Sequence, residues 1–382
     1  MRIRLMRFMD YMFLFTYIAF ELDFGIIKYV FALLFVAVFL TMEYIQGYPL
    51  SINDAGKSFF TIVLGIAALC VITFVLQIIN GFQSYALNET IYFITPLFFV
   101  WTYANVTSQE RIYKILTYLF YILVGVFLYR SIPNLTLENI KRINFLDSYS
   151  VFESGLAYPF VLLECFFLYK KEKRKAIVSM ILGLLSFKRF AMIAAIVIFI
   201  ISKWTLVSKP VKNRAQVVAI VFFVTLPVLT CIMCTDAVDV WFADTFGISL
   251  RKLTMTRFDR IAMVLESEDI KYGLGSTTVF MTEALNEMHQ SNIDQRNLHN
   301  DLVRIYVECG LLGTVVFTTS FIKAVAKQRW IFVAMLYILA ECFFNHLLGA
   351  GTVSFWILAY LLLAYSQKEQ ITKQDMRVCY ES

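Results

Sequence analysis

The stretch LHNDLVRIYVECGLLG, Leu298 to Gly313, sets a histidine, an asparagine and three ionisable side chains at the entrance of an apolar run. His299 stands just before Asn300, a favoured helix N-cap type, and Asp301, Arg304 and Glu308 follow at helical spacing. An imidazole just outside a helix N-terminus meets partial positive charge, which disfavours imidazolium and keeps the ring neutral and able to accept a proton. That is the chemistry of a general base. The bland alternative is a ring that only solvates or caps the helix end. Arg304 and Glu308 read either as a structural ion pair or as a polar ridge that meets substrate. Glycines at Gly310 and Gly313 would allow close helix contact nearby.

A second constellation is Lys188-Arg189. Lys175, Arg189 and Lys203 are spaced at equal intervals of 14 residues, so each arm of the hairpin between them is about 21 Å long. A bilayer core is roughly 30 Å thick, so Arg189 stops below the far surface. Either the hairpin tilts and thins the bilayer, or Arg189 faces a water-filled recess that takes an anion. A planar guanidinium suits phosphate because it binds oxygens in pairs and stays charged. Further arginines lie in LTMTRFDRIAMVLES, where Phe258, Ile261, Ala262 and Leu265 form an apolar stripe at helical spacing, with Arg257 and Arg260 beside it. Lys141 and Arg142 sit in another polar segment. His289 reads as a plain loop residue, and His346, in FFNHLLGAG, carries no assigned role.

These residues must be positioned by membrane helices. Of 382 residues, 59% are hydrophobic and 16% charged, which excludes an ordinary soluble domain. About twelve spans are expected, near 8–24, 26–44, 58–79, 91–106, 112–132, 151–169, 176–187, 189–203, 214–235, 301–322, 330–346 and 350–366. Period-two alternation with regular turns is missing, which argues against an outer-membrane barrel. The fold class is therefore all-α, a polytopic helical membrane protein. One membrane domain, 1–382, carries everything, with a large outer loop at 236–299 between spans nine and ten. MRIRLMR and the apolar run after it read as an uncleaved first span, since Asp10 interrupts the run and no small-residue cleavage site follows. Cys231 and Cys234 form a lone CxxC at a helix end, a weak metal or redox signal without a second pair.

Basic clusters before span one and after spans six, eight and ten all fall on the side of both termini, which the positive-inside rule places in the cytoplasm. This anchoring accounts for the net charge of +6 and leaves no nucleic-acid footprint to explain. His299, Arg189, Arg257 and Arg260 then share the outer side. A neutral base, several arginines and a recess opening into lipid suit transfer from a polyprenyl pyrophosphate. The base takes the proton of an attacking hydroxyl, and the arginines stabilise the departing pyrophosphate. No Asp-rich cluster faces this side, so neither a metal nor another cofactor is implied.

HNDLVRIYVECGLLGT, the RFDRIAMVLESEDIKYGLGS that precedes it and LSFKRFAMIAAI together resemble the O-antigen ligase/O-antigen polymerase family of bacterial envelope glycan assembly. The resemblance covers roughly residues 180–320, and the earlier part agrees only in hydropathy and span count. It implies an inner-membrane, metal-independent, inverting glycosyltransferase acting on undecaprenyl-pyrophosphate-linked oligosaccharide. His299 would be its base and Arg189 and Arg257 its pyrophosphate contacts, with Arg260 a looser match. Lys141-Arg142 in the third outer loop favours a polymerase of surface polysaccharide, working beside a protein that regulates chain length. A ligase transferring the glycan to lipid A core in lipopolysaccharide biosynthesis is the alternative. A flippase of lipid-linked sugar would share the basic recess but needs no histidine base.

Overall fold

The computed structural model describes residues 2–46, 54–82, 85–141, 143, 150–254, 257–267, 270, 273–287 and 298–381. Among the described residues the chain is 83% helix and contains no strand. The first half comprises α1 (Arg2–Glu21), α2 (Ile27–Gln46), α3 (Asp54–Asn80), α4 (Tyr85–Val106), α5 (Gln109–Ser131), α6 (Leu137–Lys141), α7 (Ala157–Tyr169) and α8 (Lys173–Leu185). There follow α9 (Arg189–Thr205), α10 (Asn213–Met233), α11 (Asp236–Phe246), α12 (Leu250–Leu253), α13 (Arg257–Glu266), α14 (Ser276–Glu287), α15 (Asp301–Val325), α16 (Arg329–Phe344) and α17 (Val353–Glu381).

Each of the twelve apolar segments coincides with a helix, and α11 to α14 fill the long polar segment between α10 and α15. Among the described residues, four stretches are long and apolar enough to cross a membrane: Gly56–Asn80, Gln109–Asn134, Asn213–Met233 and Asp301–Val325. Ile27–Thr41 and Ala157–Tyr169 are shorter apolar helices. With 13 residues each, α7 and α8 are about 20 Å long, well under the thickness of a hydrocarbon core. Large apolar side chains remain exposed along the helices, among them Phe74, Ile78, Val218 and Leu312. A surface of that kind belongs against lipid. The protein is helical and membrane-embedded.

The polar intrusion in the first helix is satisfied by partners far along the chain. Asp10 accepts from the Tyr103 hydroxyl at 2.7 Å and pairs with Arg111 at 3.0 Å. Phe13 stacks on Phe99 at 4.7 Å and packs on the Tyr103 ring at 4.5 Å, so α1 and α4 share an aromatic core at this point. The longest interface is that of α15 with α3. A Cβ added to Gly313 would come within 3.2 Å of Leu69 Cδ2, so this glycine does allow the close approach expected of it. Gly310 does not. Its φ of 69° and ψ of −174° break α15, and a Cβ there would meet no neighbour. The residue is a bend rather than a contact, because only an unhindered Cα adopts this backbone at low cost.

Candidate functional site

Asn300 caps α15 as its type and position predict, its side-chain oxygen accepting from the Val303 amide at 3.0 Å. His299, just outside the helix, is half-buried and has a positive φ of 50°, which is rare for a side chain of its size. Leu298 and Val303, on either side of it, belong to a small core with Ile261, Ala262 and Val264 of α13, Met281 of α14, and Cys231 and Cys234 at the end of α10. This core seats α13 and α14 on the end of α10 and the start of α15, next to His299. Along α13 the apolar stripe is rotated slightly from its expected setting. Val264 is buried and Leu265 is exposed, because the helix packs against α10, α14 and α15 together.

Arg304 and Glu308 lie inside the protein, with side-chain exposures of 2% and 0%. The guanidinium reaches α4, where Nη2 meets Glu89 Oε2 at 3.2 Å, and it also donates to the Leu348 carbonyl at 3.1 Å. Its Nε lies 3.9 Å from both Asp301 Oδ1 and Glu308 Oε2. Glu308 Oε1 accepts from the amide and hydroxyl of Thr277, at 3.1 and 2.5 Å. The expected pairing of Arg304 with Glu308 is thus the looser of Arg304's contacts, and Glu89 holds the closer one. Leu274 N donates to Thr73 Oγ1 at 3.1 Å, so the Gly-x-Gly turn before α14 rests on α3. Gly275 in that turn has a φ of 89° and sits so close to α4 that a Cβ would lie 2.8 Å from Tyr85 Cδ1. Together these contacts bind α3, α4, α14 and α15 into one brace beneath His299.

The arginines come from two elements, α9 and α13. At the tip of the α8–α9 hairpin, the Ser154 amide donates to the Ser186 carbonyl at 3.2 Å, and Lys188 pairs with Glu153 at 2.6 Å. Arg189 opens α9 at this tip, half-buried. The next residue, Phe190, packs on Phe344 at the end of α16, ring centroids 4.4 Å apart. Arg257 Nη1 donates to the Phe344 carbonyl at 2.7 Å. Partial burial lowers the proton affinity of the Arg257 guanidinium, Tyr158 opposes this, and the nearby charges of Arg260 and Arg189 lower it further. Burial has the same effect on Arg260. An arginine remains cationic under such shifts, and Arg260 and Arg189 both lie near enough for their charge to act on Arg257.

Some expectations fall elsewhere. Arg142 and His289 lie outside the described residues. Sequence reading passed over Glu89, and it left His346 without a role, although His346 Nδ1 sits 2.8 Å from Asp301 Oδ1. It also passed over Glu164 and Glu341, both fully buried on α7 and α16. A carboxylate in an otherwise apolar run is signal enough to notice such residues. Compared with protein-family models, with curated proteins and with solved structures, the chain matches none.

Proposed function

We propose that this protein is a polymerase of surface polysaccharide. It would join undecaprenyl-pyrophosphate-linked oligosaccharide repeat units on the outer face of a bacterial inner membrane, in a fold of about twelve spans with both termini cytoplasmic. The observation that carries this reading is the approach of Arg189 of α9 and of Arg257 and Arg260 of α13, with Phe190 and Arg257 both on Phe344 at the end of α16. Guanidinium groups from separate elements repel one another and gain from a shared anion, and a pyrophosphate on a lipid supplies one at this depth. An imidazole at the same rim takes the proton of the acceptor hydroxyl. The hydroxyl oxygen bonds to the anomeric carbon. The bond from that carbon to phosphate breaks, its electron pair leaving with the lipid pyrophosphate, which the arginines stabilise.

Arg304 and Glu308 hold this rim from below, and the substrate contacts are Arg189, Arg257 and Arg260. A ligase that delivers the glycan to lipid A core would use the same donor geometry, so the acceptor separates the two. Purified protein is incubated with lipid-linked repeat units extracted from the native envelope, with and without lipid A core. A ladder growing without core supports the polymerase, and transfer only when core is present makes the protein a ligase. Neither product with either acceptor refutes a transferase and leaves a flippase of lipid-linked sugar as the better reading.

A further inference from the structure

The segment joining α16 to α17 passes between the arginine cluster and the start of α15, and it carries a second histidine. His346 Nδ1 is 2.8 Å from Asp301 Oδ1. Asp301 is fully buried, and its other oxygen accepts from the amides of Leu347 and Leu348 at 2.5 and 2.8 Å. A carboxylate receiving two backbone N–H groups beside a guanidinium acts as an acceptor, so the Nδ1 edge of the ring carries the proton it donates. In the neutral tautomer that donates from Nδ1, the lone pair is on Nε2. The His346 side chain is 18% exposed, so the ring is not sealed in with its carboxylate.

The imidazole is not needed to hold this segment. Leu347 and Leu348 are bound through their amides to Asp301, and the Leu348 carbonyl accepts from Arg304. The Leu347 carbonyl accepts from Trp356 Nε1 at 2.6 Å, and Asn345 donates to Glu341 at 2.6 Å. The backbone is fastened, and the ring is the part being aimed. Its setting also depends on a glycine, since a Cβ added at Gly349 would come within 2.6 Å of Nε2. Two residues before His346, the Phe344 carbonyl receives Arg257, so the oriented ring and the anion-binding arginines share one short segment.

We infer that His346, oriented by Asp301, is the group that accepts the proton from the attacking hydroxyl, and that His299 aligns the acceptor sugar. This rests on the transferase reading above. The hydroxyl proton passes to Nε2, the oxygen bonds to the anomeric carbon, the lipid pyrophosphate leaves with the electron pair of the broken bond, and the imidazolium returns its proton to water. A base fixed by a carboxylate on its far nitrogen is the arrangement by which proton transfer is made directional.

The test compares His346→Ala, His299→Ala and Gly349→Ala in full-length purified protein. Turnover of native lipid-linked repeat units is measured beside binding of undecaprenyl pyrophosphate alone. His346→Ala lowers kcat by roughly 100-fold or more, with acceptor KM and undecaprenyl pyrophosphate binding changed by no more than about twofold. Free imidazole restores part of the rate. Gly349→Ala, which removes no polar group, lowers kcat by displacing the ring, and it guards against a histidine variant that fails to fold. His299→Ala raises acceptor KM and is not rescued by imidazole. Wild-type kcat in both His346→Ala and Gly349→Ala, or imidazole rescue of His299→Ala in place of His346→Ala, overturns the assignment while leaving the transferase intact. A wild-type protein that neither binds undecaprenyl pyrophosphate nor extends repeat units overturns the transferase reading itself.

Discussion

Replacing Arg304 by methionine keeps most of the side-chain volume and removes the cation that lies among Glu89, Asp301 and Glu308. At an effective dielectric of about 20, a contact of 3.2 Å is worth roughly 5 kcal/mol and each contact of 3.9 Å about 4 kcal/mol before desolvation. Burying the four ions costs several kcal/mol apiece, which offsets most of that attraction. The net worth of the cluster is therefore small, while the cost of breaking it is not. Arg304→Met leaves three carboxylates without their cation and should destabilise the protein by about 3–5 kcal/mol. Thermal unfolding in detergent, followed by loss of the monodisperse peak, should fall on the order of 5–10 °C. Glu89→Gln alone should cost less, because Asp301 and Glu308 still accompany the guanidinium. The double variant should lose less than the sum of the two, with a coupling of about 1 kcal/mol or more. An Arg304→Met protein that unfolds within about 1 °C of wild type, or losses that simply add, would show that the brace does not exist as described.

Other perturbations probe the rim and its supports. Arg189→Lys keeps the charge but loses the planar fork, and binding of undecaprenyl pyrophosphate should weaken about tenfold, read by titration. Unchanged affinity would remove Arg189 from the anion site. Gly275→Ala forces a side chain into a left-handed position facing Tyr85 and should destabilise the protein by roughly 1–3 kcal/mol in the same thermal assay. Leu298→Ala opens a cavity in the small core under α13 and α14, at a cost of about 2–4 kcal/mol, and should speed proteolysis within 236–299 well before the long apolar helices unfold. Cleavage at the wild-type rate would mean that this core does not seat α13 and α14.

The helices were legible because apolar runs, basic clusters and caps act locally. Asn300 caps α15 and α13 lies with Ile261 and Ala262 inward for reasons contained in a few consecutive residues. Partnerships across the bundle were not legible. Spacing along one helix offers Glu308 to Arg304, yet the closer partner is Glu89, 215 residues away, and no local pattern names it. The same holds for His346 and Asp301, separated by 45 residues. Gly310 and Gly313 illustrate the ambiguity most simply. Two glycines three residues apart read alike in sequence, and packing against Leu69 gives one a contact while the other becomes a bend.

That bend divides α15 into unequal levers. Residues 301–309 form a rod of about 13 Å and 311–325 one of about 22 Å. The longer rod is packed along α3, whereas the shorter carries Asp301, Arg304 and Glu308 and is tied to Glu89 of α4, Thr277 of α14 and Leu348 after α16. A rotation of about ten degrees at Gly310 would carry Asp301, and the His346 ring bonded to it, by about 2 Å. The short rod and the residues bonded to it can therefore shift as one body while the long rod keeps its packing on α3.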